Sequence, residues 1–253
     1  MGNHSDAPAD ATTRPRRLLP WVPHWTAALL IAALYVYGAS VYGALPDTVP
    51  THWGMDGTPD SWVPKSFGAV FLPLNVAAGM CLFLALVSAA APAMTPQEKQ
   101  PSQWEASVRE GNIRGTVLAL GTCSLGLTGV IGGLTVAGWR TPDSVSAWPV
   151  LVLLPLMLVA LMASYAYETR NARRSAAARG IHPTAEEAAE DGLWFAGVLY
   201  NDSTDPRILV SKRRGSGMGI TVNVGNRAGR AAVVLFLLLF AGVPLVAGLA
   251  AAL

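Results

Sequence analysis

Charge is scarce in this sequence: 18 basic and 16 acidic side chains serve 253 residues, and 52% of the chain is hydrophobic. That ratio excludes the polar surface of a soluble domain, so most apolar side chains must meet lipid or one another. The scarcity is also uneven. Five stretches, 25–44, 67–91, 116–137, 147–165 and 231–253, contain no Asp, Glu, Lys, Arg or His. Proton relays, coupling-ion sites and voltage sensors need ionisable groups at depth, which weighs against a proton-driven transporter. Cysteine is nearly absent. Cys81 and Cys123 fall inside the second and third stretches, where they offer neither a disulfide framework nor a metal site and act as small packing residues.

What remains is apolar length. Each stretch has about the 20 residues a helix needs to cross roughly 30 Å of hydrocarbon. The expected fold is an all-α membrane protein: a five-helix transmembrane bundle with a small cytoplasmic unit of a β-hairpin or three strands. A secretory leader would share the Arg-rich front of the first stretch, but that stretch carries three tyrosines and four further spans follow.

The basic residues set an orientation. Sixteen Lys and Arg fall in the N-terminal tail, in the connection after the second span and in residues 166–230; the other two connections hold only Lys65 and Arg140. By the positive-inside rule the N-terminus and 166–230 are cytoplasmic, and 45–66 and 138–146 face outward. Five spans then place the C-terminus outside the cytoplasm of a bacterial cell membrane. Trp21, Trp25, Trp139 and Trp148 stand at span ends as interfacial anchors.

The expected divisions are a tail (1–24), a two-span domain (25–91) around an outer loop (45–66), spans three and four (92–165), a helical linker (166–192), a β unit (193–230) and span five (231–253). Pro73, Pro155 and Pro244 should kink their helices, and Asn75 should bond a neighbouring helix. Span three is rich in glycine, with a Gly129–Gly133 step that suits close helix approach, so it is the expected packing centre.

Four prolines and two glycines in the outer loop forbid a helix and imply a rigid cap of turns. Its pattern, LP-x-x-x-P-x-HWG-x-x-G-x-PD-x-W-x-x-K, resembles the N-terminal membrane domain of the SdpI bacteriocin-immunity family. Leu45, Pro46, Pro50, His52, Trp53, Gly54, Gly57, Pro59, Asp60, Trp62 and Lys65 carry the likeness. The resemblance implies two spans joined by this loop, and self-protection against a secreted toxin with signalling to a cytoplasmic repressor. Read from the residues alone, the loop is a hydrogen-bonded cap, a surface for a ligand or peptide, or an acid–base or metal pair of His52 with Asp56 or Asp60.

In the cytoplasmic segment, Thr184-Ala185-Glu186-Glu187 reads as a capped helical start. Residues 193–200, 207–212 and 219–224 read as three short strands. Gly215-Ser216-Gly217-Met218-Gly219 is a flexible hairpin loop; no Walker lysine closes it into a phosphate cradle. Trp194, Gly197, Tyr200, Asn201, Asp205, Pro206, Arg207, Val210, Lys212, Arg213, Gly217 and Asn223 also resemble a small bacterial membrane-associated domain of unknown function.

The function expected from these features is non-enzymatic, with no cofactor and no nucleic-acid partner. The protein would sense, bind or protect against an envelope ligand. The bilayer, a secreted peptide or other envelope ligand, and a cytoplasmic regulator are its expected partners. A passive permeation or transport component is the alternative.

Overall fold

The computed structural model describes residues 18–54, 56–96, 100–146, 148–195, 197–213, 215–242 and 246. Among them are six α-helices rather than five: α1 (Val22–Val41), α2 (Phe67–Ala90), α3 (Gln103–Arg140), α4 (Trp148–Ala178), α5 (Ala185–Gly192) and α6 (Arg227–Leu237). Four are long and apolar enough to cross a membrane: α1 with its flanking turns, α2, α3 and α4. The expected fifth span opens as α6 and a π-helical turn, Leu238–Gly242. Most of its remainder, with the kink expected at Pro244, lies outside the described residues, as does most of the N-terminal tail.

Capping chemistry decides where these helices begin. Ser66 accepts from the Ala69 N–H at 3.2 Å and starts α2. Ser102 and Glu105 form a reciprocal capping box that starts α3 well before its apolar stretch. At 38 residues, α3 is therefore about 57 Å long, more than a bilayer needs. Thr184 and Glu187 make the same box at α5, as the sequence predicts. Pro73 and Pro155 sit inside α2 and α4, which continue through them.

The packing centre is α3. Of its apolar window 39% is buried, against 17%, 22% and 0% for α1, α2 and α4. It packs on all three. The close approaches are not made by Gly129 and Gly133, which face open space. They occur at Gly126, where an added Cβ would meet Met157 Cγ at 2.6 Å, and at Gly132, where it would meet Leu34 Cδ1 at 2.4 Å. Large apolar residues on the other faces, such as Leu29, Phe83 and Val159, are more than 60% exposed, the surface expected to meet lipid.

Polar groups inside the bundle are paired. Tyr35 donates to Asn75 across α1 and α2. His24 lies between Ser88 (3.0 Å) and Ser124 (3.4 Å), tying α1 to α2 and α3. Cys81 Sγ stands 3.3 Å from the Thr128 hydroxyl, and both cysteines are free.

The connection after α1 is not a series of turns but an antiparallel hairpin, β1 (Thr48–Trp53) with β2 (Pro59–Pro64). Its register shifts on either side of His52, which leaves Thr51 and Asp60 without Cα partners. Bulges let proline-rich strands pair despite the missing donors. Val49 and Val63 turn inward onto Leu45, Val70, Phe71 and Leu74.

The expected three-stranded unit is instead two small hairpins, β3 (Trp194–Phe195) with β4 (Leu199–Tyr200) and β5 (Leu209–Ser211) with β6 (Ile220–Val222). The first expected strand folds back on itself at Gly197, whose φ of 72° ends the extended run. A parallel bridge between Tyr200 and Asn223 joins the two hairpins.

Candidate functional site

The β1–β2 hairpin roofs a cavity of about 370 Å³. Pro46, Pro50, His52, Trp53 and Gly54 form the roof; Val70 and Pro73 of α2 and Ile131, Leu134 and Thr135 of α3 form the floor. Pro142 and Val145, in the connection after α3, close one side. The floor is apolar, and hydrogen-bonding groups gather at the rim.

Three contacts hold the roof down. Trp53 donates its indole N–H to the Pro142 carbonyl at 3.1 Å, and an added Cβ on Gly138 would lie 3.0 Å from its ring. Gly57 (φ 82°) accepts from the Val145 N–H at 2.9 Å; a Cβ there would sit 2.6 Å from the Val145 carbonyl oxygen. Lys65 donates its ammonium to the Leu45 carbonyl at 2.6 Å and lies 4.0 Å from Asp47. The turn is set by Asp56, whose carboxylate accepts from the Thr58 N–H (3.0 Å) and hydroxyl (2.8 Å). Those bonds hold its pKa below the ordinary carboxylate value.

At the rim His52 Nδ1 and Asp60 Oδ1 are 2.6 Å apart, with side chains 68% and 55% exposed. Trp62, the cross-strand partner of Pro50, is exposed on the same hairpin. Both side chains face solvent, and among the described residues no third ionisable group joins the pair. Among the described residues no cluster of three His, Cys, Asp or Glu side chains could hold a metal ion. Sequence reasoning missed the cavity's far wall. Gly138, Pro142 and Val145 carry no chemistry, and only their distance from the hairpin in three dimensions gives them a role.

The sequence profile of a family described as Domain of unknown function (DUF1648) matches residues 29–76, which cover the later part of α1, the hairpin and the start of α2. No curated protein and no solved structure matches the chain. The likeness is thus to a domain without an assigned activity.

At the opposite end of α3 the β unit is docked, not loose. Arg213 is buried and makes ion pairs with Asp191 and, at 3.3 Å, with Glu190 of α5. Its burial lowers its pKa from the ordinary guanidinium value. Trp104 of α3 donates its indole N–H to Asp191 at 3.2 Å, and Arg173 of α4 lies 3.7 Å from the same carboxylate. The glycine-rich loop, expected to be flexible, is fastened by Asn112, which donates to the Gly215 carbonyl at 2.8 Å and the Ser216 hydroxyl at 3.1 Å. Lys212 lies half-buried beside it, its backbone N–H bonded to the Gly219 carbonyl.

The remaining motif residues build one turn. Asn223, fully buried, donates to the carbonyls of Asp202 (2.8 Å) and Asp205 (3.0 Å) and accepts from the backbone N–H groups of Asp202 and Gly225. Arg207 clamps Asp205 at 2.6 Å, Pro206 passes the chain between them, and Tyr200 donates to Asp202 at 3.1 Å. Asn201 donates its backbone N–H to Leu193, and Trp194 meets Tyr200 edge-on at 5.4 Å. Asn223→Ala is expected to destabilise this unit by about 2 kcal/mol, because several buried partners lose their bonds at once. Faster proteolytic nicking within 201–226, with the helical circular dichroism retained, would register it.

Proposed function

We propose that the protein is a non-enzymatic, multi-pass membrane component that binds an amphiphilic envelope ligand beneath the hairpin. The observation that carries this reading is the 370 Å³ cavity, with an apolar floor inside the bundle and a polar rim at His52 and Asp60. A ligand with one apolar tail or side chain and a polar head matches that division. The biased distribution of Lys and Arg supports an outward-facing hairpin, a cytoplasmic N-terminus and a cytoplasmic β unit. In this reading α3 links the two ends. Gly138 meets the roof and Asn112 meets the glycine-rich loop, so a shift of one rigid helix reaches both. Toxin immunity and signalling to a cytoplasmic regulator are the roles such a coupling would serve.

The test uses nanodiscs containing an acyl chain that bears a photoactivatable diazirine. Adducts should concentrate at Ile131 and Leu134, and Leu134→Trp, which fills the floor, should reduce them about fivefold, a loss of roughly 1 kcal/mol in binding. Adducts spread evenly over the exposed faces of α1 and α4, unchanged by Leu134→Trp, would refute the site.

Passive permeation is a second reading, and the polar line of His24, Ser88, Ser124 and Thr128 inside the bundle favours it. Ser124 and Thr128 both donate back to carbonyls of their own helix, which occupies the donors a permeant would need. Flux of small solutes from proteoliposomes separates the two readings.

A further inference from the structure

A second cavity, of about 460 Å³, lies at the other end of α3, walled by α3, the end of α5 and the β5–β6 hairpin. Arg109, Lys212 and the buried Arg213 line it, together with Glu105 and Glu190. Both carboxylates are already engaged. Glu190 faces Arg213 at 3.3 Å, and Glu105 accepts the Ser102 backbone N–H at 3.0 Å. Arg213 is further neutralised by Asp191.

The other two cations are not. Arg109 donates Nε to the Thr95 carbonyl (2.7 Å) and Nη2 to the Pro92 carbonyl (2.8 Å), which fixes the guanidinium plane without cancelling its charge. Among the described residues neither Arg109 nor Lys212 has a carboxylate within ion-pair distance. The opposite wall is preformed, because Asn112 fastens Gly215 and Ser216. An added Cβ on Gly215 would lie 3.8 Å from Arg109 Cβ, so the loop sits beside the base of that side chain, and both residues line the cavity.

We propose that this cavity binds a phosphate-bearing anion between Arg109 and Lys212. Two cations converging on one polar cavity, one with its plane fixed and one on a flexible stem, suit phosphate oxygens through charge-assisted hydrogen bonds. Ser211 adds a hydroxyl to the wall. The position fits a headgroup as well as a soluble ligand. The apolar part of α3 begins at Thr116, two helical turns past Arg109, so the site lies about 10 Å along the axis from the hydrocarbon edge. The proposal is independent of the cavity under the hairpin.

The experiment compares the full-length protein with Lys212→Gln, which removes a charge from a side chain that holds no described partner. In nanodiscs of phosphatidylcholine doped with phosphatidylglycerol, native mass spectrometry counts the anionic lipid retained. In pure phosphatidylcholine discs, calorimetric titration measures binding of pyrophosphate. Retention of phosphatidylglycerol that falls about tenfold in Lys212→Gln assigns the site to a headgroup. Pyrophosphate binding that weakens by a similar factor assigns it to a soluble phosphate, and in either arm the affinity should fall as salt rises. Arg109→Lys should keep part of the binding, since the charge survives while the fixed plane is lost. Equal retention and equal titration in the unmodified protein and Lys212→Gln, or no binding of either probe, overturns the proposal.

Discussion

Arg213→Ala should undock the β unit from the bundle, at a cost of about 3–5 kcal/mol. Arg213 is 7% exposed and Asp191 12%, so the pair is held where water cannot compensate a lost partner. Removing the guanidinium leaves Asp191 facing only Arg173 at 3.7 Å and the Trp104 indole at 3.2 Å. Glu190 loses its partner as well. The damage should be local, because the packing of α1 to α4 at Gly126, Gly132 and the Val70–Leu74 cluster lies further along the bundle. The measurement is limited proteolysis of protein in nanodiscs, with cleavage inside 193–226 accelerated and the four long helices protected. Replacing both partners by apolar side chains of similar size, Asp191→Leu with Arg213→Met, should restore only part of the protection, since the Trp104 indole and Arg173 lose their carboxylate as the buried pair is removed. Equal cleavage in Arg213→Ala and the unmodified chain would show that the pair contributes nothing to docking.

That cluster could not be read from the sequence. Trp104, Arg173 and Asp191 lie on three separate helices and Arg213 in a loop, and no spacing rule brings them together. The apolar helices were legible because a bilayer demands one property, uninterrupted apolar length, which α1 to α4 carry openly. Their true ends were partly legible. Thr184 and Glu187 announce the start of α5, and Ser102 with Glu105 has the same spacing, so the early start of α3 was available as a capping box.

The β1–β2 hairpin was hidden for a different reason. Strands are recognised by alternation, and Pro50, Pro59 and Pro64 together with two register shifts erase it. What survived was the identity of the residues. Pro46, Pro50, His52, Trp53 and Gly54 all line one cavity, although nothing in their order describes its floor. Gly129 and Gly133 show the opposite failure, a motif whose spacing is right and whose neighbours are elsewhere. The helices that pack on α3 approach at Gly111, Gly126 and Gly132.

Trp53→Ala should lift the roof from the bundle, and about 3 kcal/mol of stability should go with it. Trp53 ends β1, leans over Gly138 and reaches the Pro142 carbonyl, so one side chain joins the hairpin to both α3 and the connection that follows it. Truncation to Ala removes packing and hydrogen bond together. Trp53→Phe keeps most of the packing and loses only the indole N–H, which should cost about 1 kcal/mol. Gly138→Val attacks the same contact from the other side, because its Cβ would stand 3.0 Å from the indole. Since both changes break one contact, the double variant Trp53→Ala with Gly138→Val should be less damaging than the sum of the two. Thermal unfolding in nanodiscs, read alongside labelling of a cysteine placed at Leu134, reports stability and access to the floor together. If Trp53→Ala unfolds like the unmodified protein and leaves position 134 as protected, the hairpin is not a roof, and the cavity beneath it loses its claim as a binding site.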